Sequence, residues 1–150
     1  ESQNLIRLEL DGVALYGSDF ELNDGLLKLD VPPERFELKV TSEINPSNNT
    51  ALEGLYLSEG IFCTQCEPEG FRRITFFPDR PDILAIYTTT LIANKRDYPI
   101  LLSNGNLQDA GDLDDERHFM TWHDPFPKPS YLFYVVCGKL DCIEDNFLKN

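Results

Sequence analysis

Phe36-Glu37-Leu38-Lys39-Val40-Thr41-Ser42-Glu43-Ile44 is the clearest alternation of apolar and polar residues in the chain. On an extended backbone Phe36, Leu38, Val40 and Ile44 fall on one side, and Glu37, Lys39, Thr41 and Glu43 on the other. That pattern belongs to a strand with one face on a core and one in water. The reading extends outward from it. Ile6, Leu8 and Leu10 alternate with Leu5, Arg7 and Glu9, which predicts a strand with one apolar face, turning at Asp11-Gly12. Residues 25–31 predict another strand, stopped by Pro32-Pro33. Further strands are expected at 52–57, 61–64, 83–93, 100–104, 118–123 and 131–142, with turns at Gly105, Gly111, Pro125, Pro127 and Pro129. Helix is confined to short turns within 67–77 and 81–84. Many short strands, spaced by roughly ten residues, predict an all-β fold, an antiparallel β-sandwich.

At 150 residues the chain can bury one good core, and no repeat or linker divides it, so a single β domain is expected over 1–150. Ten Phe, six Tyr and one Trp are a globular complement. Acidic residues outnumber basic ones 26 to 13, a net charge of −13. That argues against nucleic acid as a partner, because phosphate binding needs a basic surface, and equally against an anionic membrane surface. The acidity reads first as a means of keeping the protein soluble, and second as a mild attraction for cationic ligands such as peptide amines. No apolar run approaches the roughly 20 residues that span a bilayer. The chain opens Glu1-Ser2-Gln3-Asn4, without Met or signal-peptide features, and closes Phe147-Leu148-Lys149-Asn150 after a strand-like run. The expectation is a piece of a longer polypeptide, with a processed mature protein as the alternative.

Cys63-Thr64-Gln65-Cys66-Glu67 supports two chemistries. Its cysteines have the spacing of a zinc knuckle or a dithiol redox site. A structural zinc needs a second tight pair, and Cys137 and Cys142, five apart on an expected strand, would diverge. His118 and His123 diverge in the same way, and no His-Glu-x-x-His occurs. A redox dithiol needs a helix N-terminus, and Glu67 beside Cys66 would raise a thiol pKa. The cysteines therefore read as small packing residues in a reducing cytosol. No Gly-x-Ser-x-Gly elbow is present, and 112–116 reads as a solvated acidic loop. The second chemistry uses the polar side chains. Gln65 and Glu67, at i and i+2 of an extended segment, could grip one ligand group together.

Thr64-Gln65-Cys66-Glu67, Arg72 and Asp79-Arg80-Pro81 resemble the N-terminal domain of the aminopeptidase N family of zinc metallopeptidases. That family carries Thr/Ser-Gln-x-Glu, then Arg, then Asp-x-Pro at this spacing. Asn49-Thr50-Ala51-Leu52-Glu53-Gly54-Leu55-Tyr56, Glu69-Gly70-Phe71-Arg72, Tyr98-Pro99-Ile100-Leu101-Leu102-Ser103-Asn104-Gly105-Asn106 and Trp122-His123-Asp124-Pro125-Phe126-Pro127-Lys128-Pro129 resemble its bacterial alanyl aminopeptidase branch. The resemblance runs from about Leu5 to Phe147. Phe76 and Phe77 stand where the broad family places Pro and Cys, and Arg80 where many relatives have Glu.

The resemblance implies that Glu67 binds the protonated α-amine of a peptide substrate and that Gln65 lines the same pocket. Arg72 and Asp79 keep a structural reading, bracing the loop that presents Glu67 in preference to touching substrate. Zinc would serve the full-length enzyme, with ligands in a separate thermolysin-like domain and none here. The partners implied are peptide substrates and the chain's own catalytic domain, in the cytoplasm, and this domain alone would be inactive. The rival reading is a stand-alone β-sandwich module that binds peptide ends or another protein.

Overall fold

The computed structural model describes residues 3–32 and 34–146. Glu1, Ser2, Pro33 and residues 147–150 lie outside the described residues, and with them the expected stop at Pro33 and the closing run. The strands are β1 (Asn4–Leu10), β2 (Val13–Ala14), β3 (Phe20–Asn23), β4 (Leu26–Leu29), β5 (Leu38–Glu43) and β6 (Gly54–Ser58). They continue with β7 (Ile61–Gln65), β8 (Leu84–Asn94), β9 (Ile100–Ser103), β10 (Asn106–Asp112), β11 (Arg117–Pro129) and β12 (Val135–Gly138). Helix among the described residues is limited to single 3-10 turns at Gly17–Asp19, Pro46–Asn48, Phe71–Arg73 and Ser130–Leu132. None is long and apolar enough to cross a membrane.

All pairings are antiparallel, and the strands form sheets ordered β2-β1-β5, β3-β4, β6-β7-β12-β9 and β10-β11-β8. The fold is all-β. The alternation at 36–44 becomes β5, which lies against β1 with Leu10 opposite Leu38 and Asn4 opposite Glu43. β1 departs from the simple alternation. Its register shifts between Leu5 and Arg7, so Leu8 is buried while Ile6 is 58% exposed. One extra residue in a strand moves every side chain beyond it to the other face.

The main core lies between the β6-β7-β12-β9 sheet and the β10-β11-β8 sheet. Leu101 of β9 and Val135 and Cys137 of β12 are buried, with Phe62 of β7, Leu91 and Ala93 of β8 and Met120 of β11 packed on them. This is sheet-on-sheet packing, in which alternate side chains of both inner faces interdigitate. Full burial of a leucine such as Leu101 contributes about 1.5–3 kcal/mol. The layers are also joined by a hydrogen bond: Trp122 of β11 donates its Nε1–H to the Leu101 carbonyl at 2.9 Å. Gly105 makes the tight turn into β10. It has φ +90°, and a Cβ there would fall 2.1 Å from the His123 carbonyl oxygen, so only glycine fits.

Several expectations are corrected. β2, β3 and β10 are strands that the sequence pattern did not mark, and β10 is exposed along its whole length. The proline run 125–129, expected as a connection, is the end of β11. Pro125 and Pro127 fall where the register to β8 slips between Asp124 and Lys128, and Pro129 is the last residue of the strand, opposite Leu84. Lys128 forms an ion pair with buried Asp124 across that slip. The strand expected over 131–142 is shorter. Ser130–Leu132 is a 3-10 turn and β12 ends at Gly138. Asn104 holds that turn, donating Nδ2–H to the Leu132 carbonyl at 2.9 Å and accepting from the Tyr134 N–H at 2.8 Å.

Candidate functional site

β7 lies between β6 and β12, with Gly54 opposite Gln65 and Val136 opposite Cys63. It ends at Gln65, and the chain leaves the sheet in a turn over residues 67–70. The Gly70 N–H closes that turn on the Cys66 carbonyl at 2.9 Å, and the Glu67–Pro68 peptide is cis. Gln65 and Glu67 are both exposed, on either side of buried Cys66. The structure brings them together differently from the extended i, i+2 geometry. The Gln65 amide donates its Nε2–H to Glu67's own carbonyl at 2.9 Å. Glu69 is ion-paired to Arg72 Nη1 at 3.3 Å, whereas the Glu67 carboxylate has no ion-pair partner among the described residues.

The turn is fixed from below. Gly70 is buried, and a Cβ on it would meet the Gln65 carbonyl oxygen at 2.3 Å and Cys66 Cα at 2.8 Å. Phe71, the next residue, is 5% exposed and packs its ring on Phe133 at 4.9 Å, Phe77 at 5.1 Å and Tyr87 at 6.0 Å. Edge-on aromatic contacts of this kind add about 0.5–1.5 kcal/mol each beyond area burial. Burial raises the Tyr87 phenol pKa, with Asp79 and Cys66 adding to the shift.

A polar clamp closes the far side. Asp79, 7% exposed, accepts from the Arg72 backbone N–H at 3.0 Å and from Arg72 Nε at 3.3 Å. Arg72 Nη2 also donates to the Asp79 carbonyl at 2.8 Å. The other Asp79 oxygen, Oδ1, accepts from the hydroxyl of fully buried Ser130. Arg73 adds an ion pair to Glu53 at 2.6 Å. Ser130 and Gly70 escaped the sequence reading. Gly70 stood in Glu69-Gly70-Phe71 as a signal, but Ser130 lies 51 residues from Asp79 and nothing local points to it. Arg80, by contrast, forms an exposed local pair with Asp82 at 2.6 Å that touches none of this.

The remaining candidates do not converge. The His118 ring is buried, and because a carbonyl only accepts, its Nε2 carries the proton given to Tyr98 O at 2.8 Å. His123 Nδ1 meets the Thr88 hydroxyl at 2.9 Å instead. No group of three His, Cys, Asp or Glu side chains able to hold a metal ion occurs among the described residues. An apolar cleft of about 690 Å³ lies beyond Arg72, lined by Leu26, Leu29, Phe36, Phe76 and Phe77, and neither Gln65 nor Glu67 borders it. The polar pair thus stands on an open surface.

All four cysteines are free. Burial, then Asp79, pushes the Cys66 thiol up to about 12, and burial pushes Cys137 to about 11. The direction expected for Cys66 holds, but the cause is burial and Asp79, not Glu67. Because only thiolates react, a disulfide reagent near pH 8 is expected to modify exposed Cys142 first. Cys66 and Cys137 should react only after unfolding, and rapid native-state modification of Cys66 would contradict this packing.

Residues 21–132 match the Peptidase M1 N-terminal domain family. The chain is 56% identical to Escherichia coli aminopeptidase N over 124 residues, covering 83% of this chain and 14% of that protein. It is 49% identical to Caulobacter vibrioides aminopeptidase N over 148 residues, 99% of this chain and 17% of that protein. It therefore spans about a sixth of the length of these curated relatives. Among solved structures, Legionella pneumophila aminopeptidase A in complex with aspartic acid superposes with a TM-score of 0.89 at 43% identity. That match covers 94% of this chain and 17% of the other. A Deinococcus radiodurans M1 zinc metallopeptidase matches in fold alone, with a TM-score of 0.77 at 14% identity over 91% of this chain and 32% of that one.

Proposed function

This chain belongs to the M1 peptidase family as its N-terminal domain, and on that premise we propose that it is the substrate-anchoring domain of a longer zinc aminopeptidase. Residues 1–150 form one β domain of that enzyme, which removes N-terminal residues from peptides in the cytoplasm. Glu67 receives the protonated α-amine of the substrate, and Gln65 lines the same pocket.

The observation carrying this reading is the exposed Glu67 carboxylate, without an ion-pair partner among the described residues, on a turn tied down from both sides. A carboxylate accepts charge-assisted hydrogen bonds from an ammonium, which are about twice as strong as neutral ones. A rigid support keeps the entropy of ordering that carboxylate out of the binding step. Holding the amine at a fixed place sets which peptide bond reaches the reacting groups, so cleavage is counted from the chain end. Among the described residues no cluster of His, Cys, Asp or Glu fits a zinc ion. Its ligands belong to the partner catalytic domain of the same polypeptide, and the 150-residue chain alone is inactive.

The test compares a peptide with a free amine and its N-acetylated counterpart on the full-length enzyme. Acetylation removes the cation, and losing one partner of a desolvated charge pair costs about 2–5 kcal/mol. The acetylated peptide should be cleaved roughly 30-fold to several thousand-fold more slowly. Equal rates would defeat the reading.

A further inference from the structure

The two outer strands of the β10-β11-β8 sheet are built differently. β10 carries Asp109 and Asp112, slips register between Leu107 and Asp109, and exposes every residue. Charges and bulges are the devices that keep a sheet edge from recruiting another strand. β8 has neither charge nor proline in its 11 residues, Leu84-Ala85-Ile86-Tyr87-Thr88-Thr89-Thr90-Leu91-Ile92-Ala93-Asn94. Its register to β11 is unbroken from Tyr87 to Asn94, and Leu84, Ile86 and Ile92 are 59%, 56% and 55% exposed. One side of β8 bonds to β11, and among the described residues no strand bonds to the other. Such an edge leaves alternate backbone N–H and C=O groups without ladder partners.

We propose that in the full-length enzyme the free edge of β8 is closed by a further strand of the same polypeptide, from outside residues 1–150. This rests on the reading of the chain as one domain of a longer enzyme. The relatives supply the scale, because the matched region is 14% and 17% of their length. The incoming strand would be uncharged and alternating. Its inner side chains would extend the core beside Tyr87 and Leu91, and its outer ones would cover Leu84, Ile86 and Ile92. A second copy of this chain is the poorer occupant. Each copy carries a net charge of −13, and like-charged bodies repel. A strand on the same chain also meets β8 at high effective concentration.

Hydrogen–deuterium exchange of the full-length enzyme, read by mass spectrometry over residues 85–93 at two protein concentrations, tests this. Uniform slow exchange at both concentrations is expected. Fast exchange of roughly half these amides, the signature of a one-sided edge, overturns the proposal. Protection that grows with concentration assigns the edge to a second copy and also overturns it. As a second arm, Ile86→Lys should lower the Tm of the full-length enzyme by several degrees, because the lysine would lie beside the added strand. An unchanged Tm, as a free edge would give, counts against closure. If the native protein proves to be a polypeptide of only 150 residues, the parent-enzyme reading itself fails. That outcome is distinct from fast exchange in a longer enzyme, which sinks the edge pairing alone.

Discussion

Glu67→Ala in the full-length enzyme is expected to lower kcat/KM on an aminoacyl substrate by roughly 30-fold to several thousand-fold. The range follows from the ~2–5 kcal/mol cost of removing one member of a charge pair that is desolvated when substrate binds. The expected loss is confined to catalysis. Glu67 is exposed, and its carboxylate makes no ion pair among the described residues. The turn's supports run through Gly70, Phe71 and Arg72, so the Tm should stay within about 1 °C of the parent. Glu67→Gln keeps an acceptor and loses the charge, and should fall between the two. Near-normal kcat/KM in Glu67→Ala would dismiss the anchoring role. A large fall in Tm would show that the residue holds the turn and does not serve the substrate.

The second large effect is on stability. Asp79→Ala removes a buried acceptor that serves the Arg72 backbone, the Arg72 guanidinium and the Ser130 hydroxyl together. Ser130 is 1% exposed, so its hydroxyl would lose its partner out of reach of water. Breaking a buried charge pair costs about 3–5 kcal/mol, and the half-exposed Arg72 argues for the lower end. For a domain of this size about 3 kcal/mol corresponds to a Tm decrease of roughly 6–12 °C. Arg80→Ala is the control, because its pair with Asp82 is exposed and tied to nothing else, and its Tm should not move. A decrease of less than about 2 °C in Asp79→Ala would mean that the clamp does not hold the turn. Activity should fall as well, since a loosened turn no longer presents Glu67 in one place.

The fold was legible where one face of a strand is buried. β5 and β8 alternate in exposure along their length, whereas β6 and β7 were legible as short apolar runs. β10 was not legible, because Asn106–Asp112 is exposed on both faces and so carries no apolar period. Residues 131–142 misled in the opposite direction. Tyr131, Leu132 and Tyr134 are apolar in the sequence, yet they are at least 38% exposed around a 3-10 turn. Apolar content there did not mean an extended, buried backbone. The proline run read as a connection because its prolines are turn residues by composition, and the pairing of Lys128 and Pro129 with β8 is made only by the tertiary fold.

The site divides along the same line. Gln65, Glu67, Arg72 and Asp79 lie within 15 residues and form an ordered motif. Their geometry was less accessible: Gln65 turns its amide onto the Glu67 carbonyl, which no spacing rule foretells. Ser130 joins them only because the end of β11 returns beneath the 71–79 segment, a contact made by the tertiary fold.

The bond between Trp122 and the Leu101 carbonyl has a practical consequence. The indole is the chain's single tryptophan, and its donor group spans the two packed sheets. The protein therefore carries an intrinsic optical gauge at the seam between its layers. Steady emission would certify that the sandwich is closed, and a red shift would mark the layers parting, with no label attached.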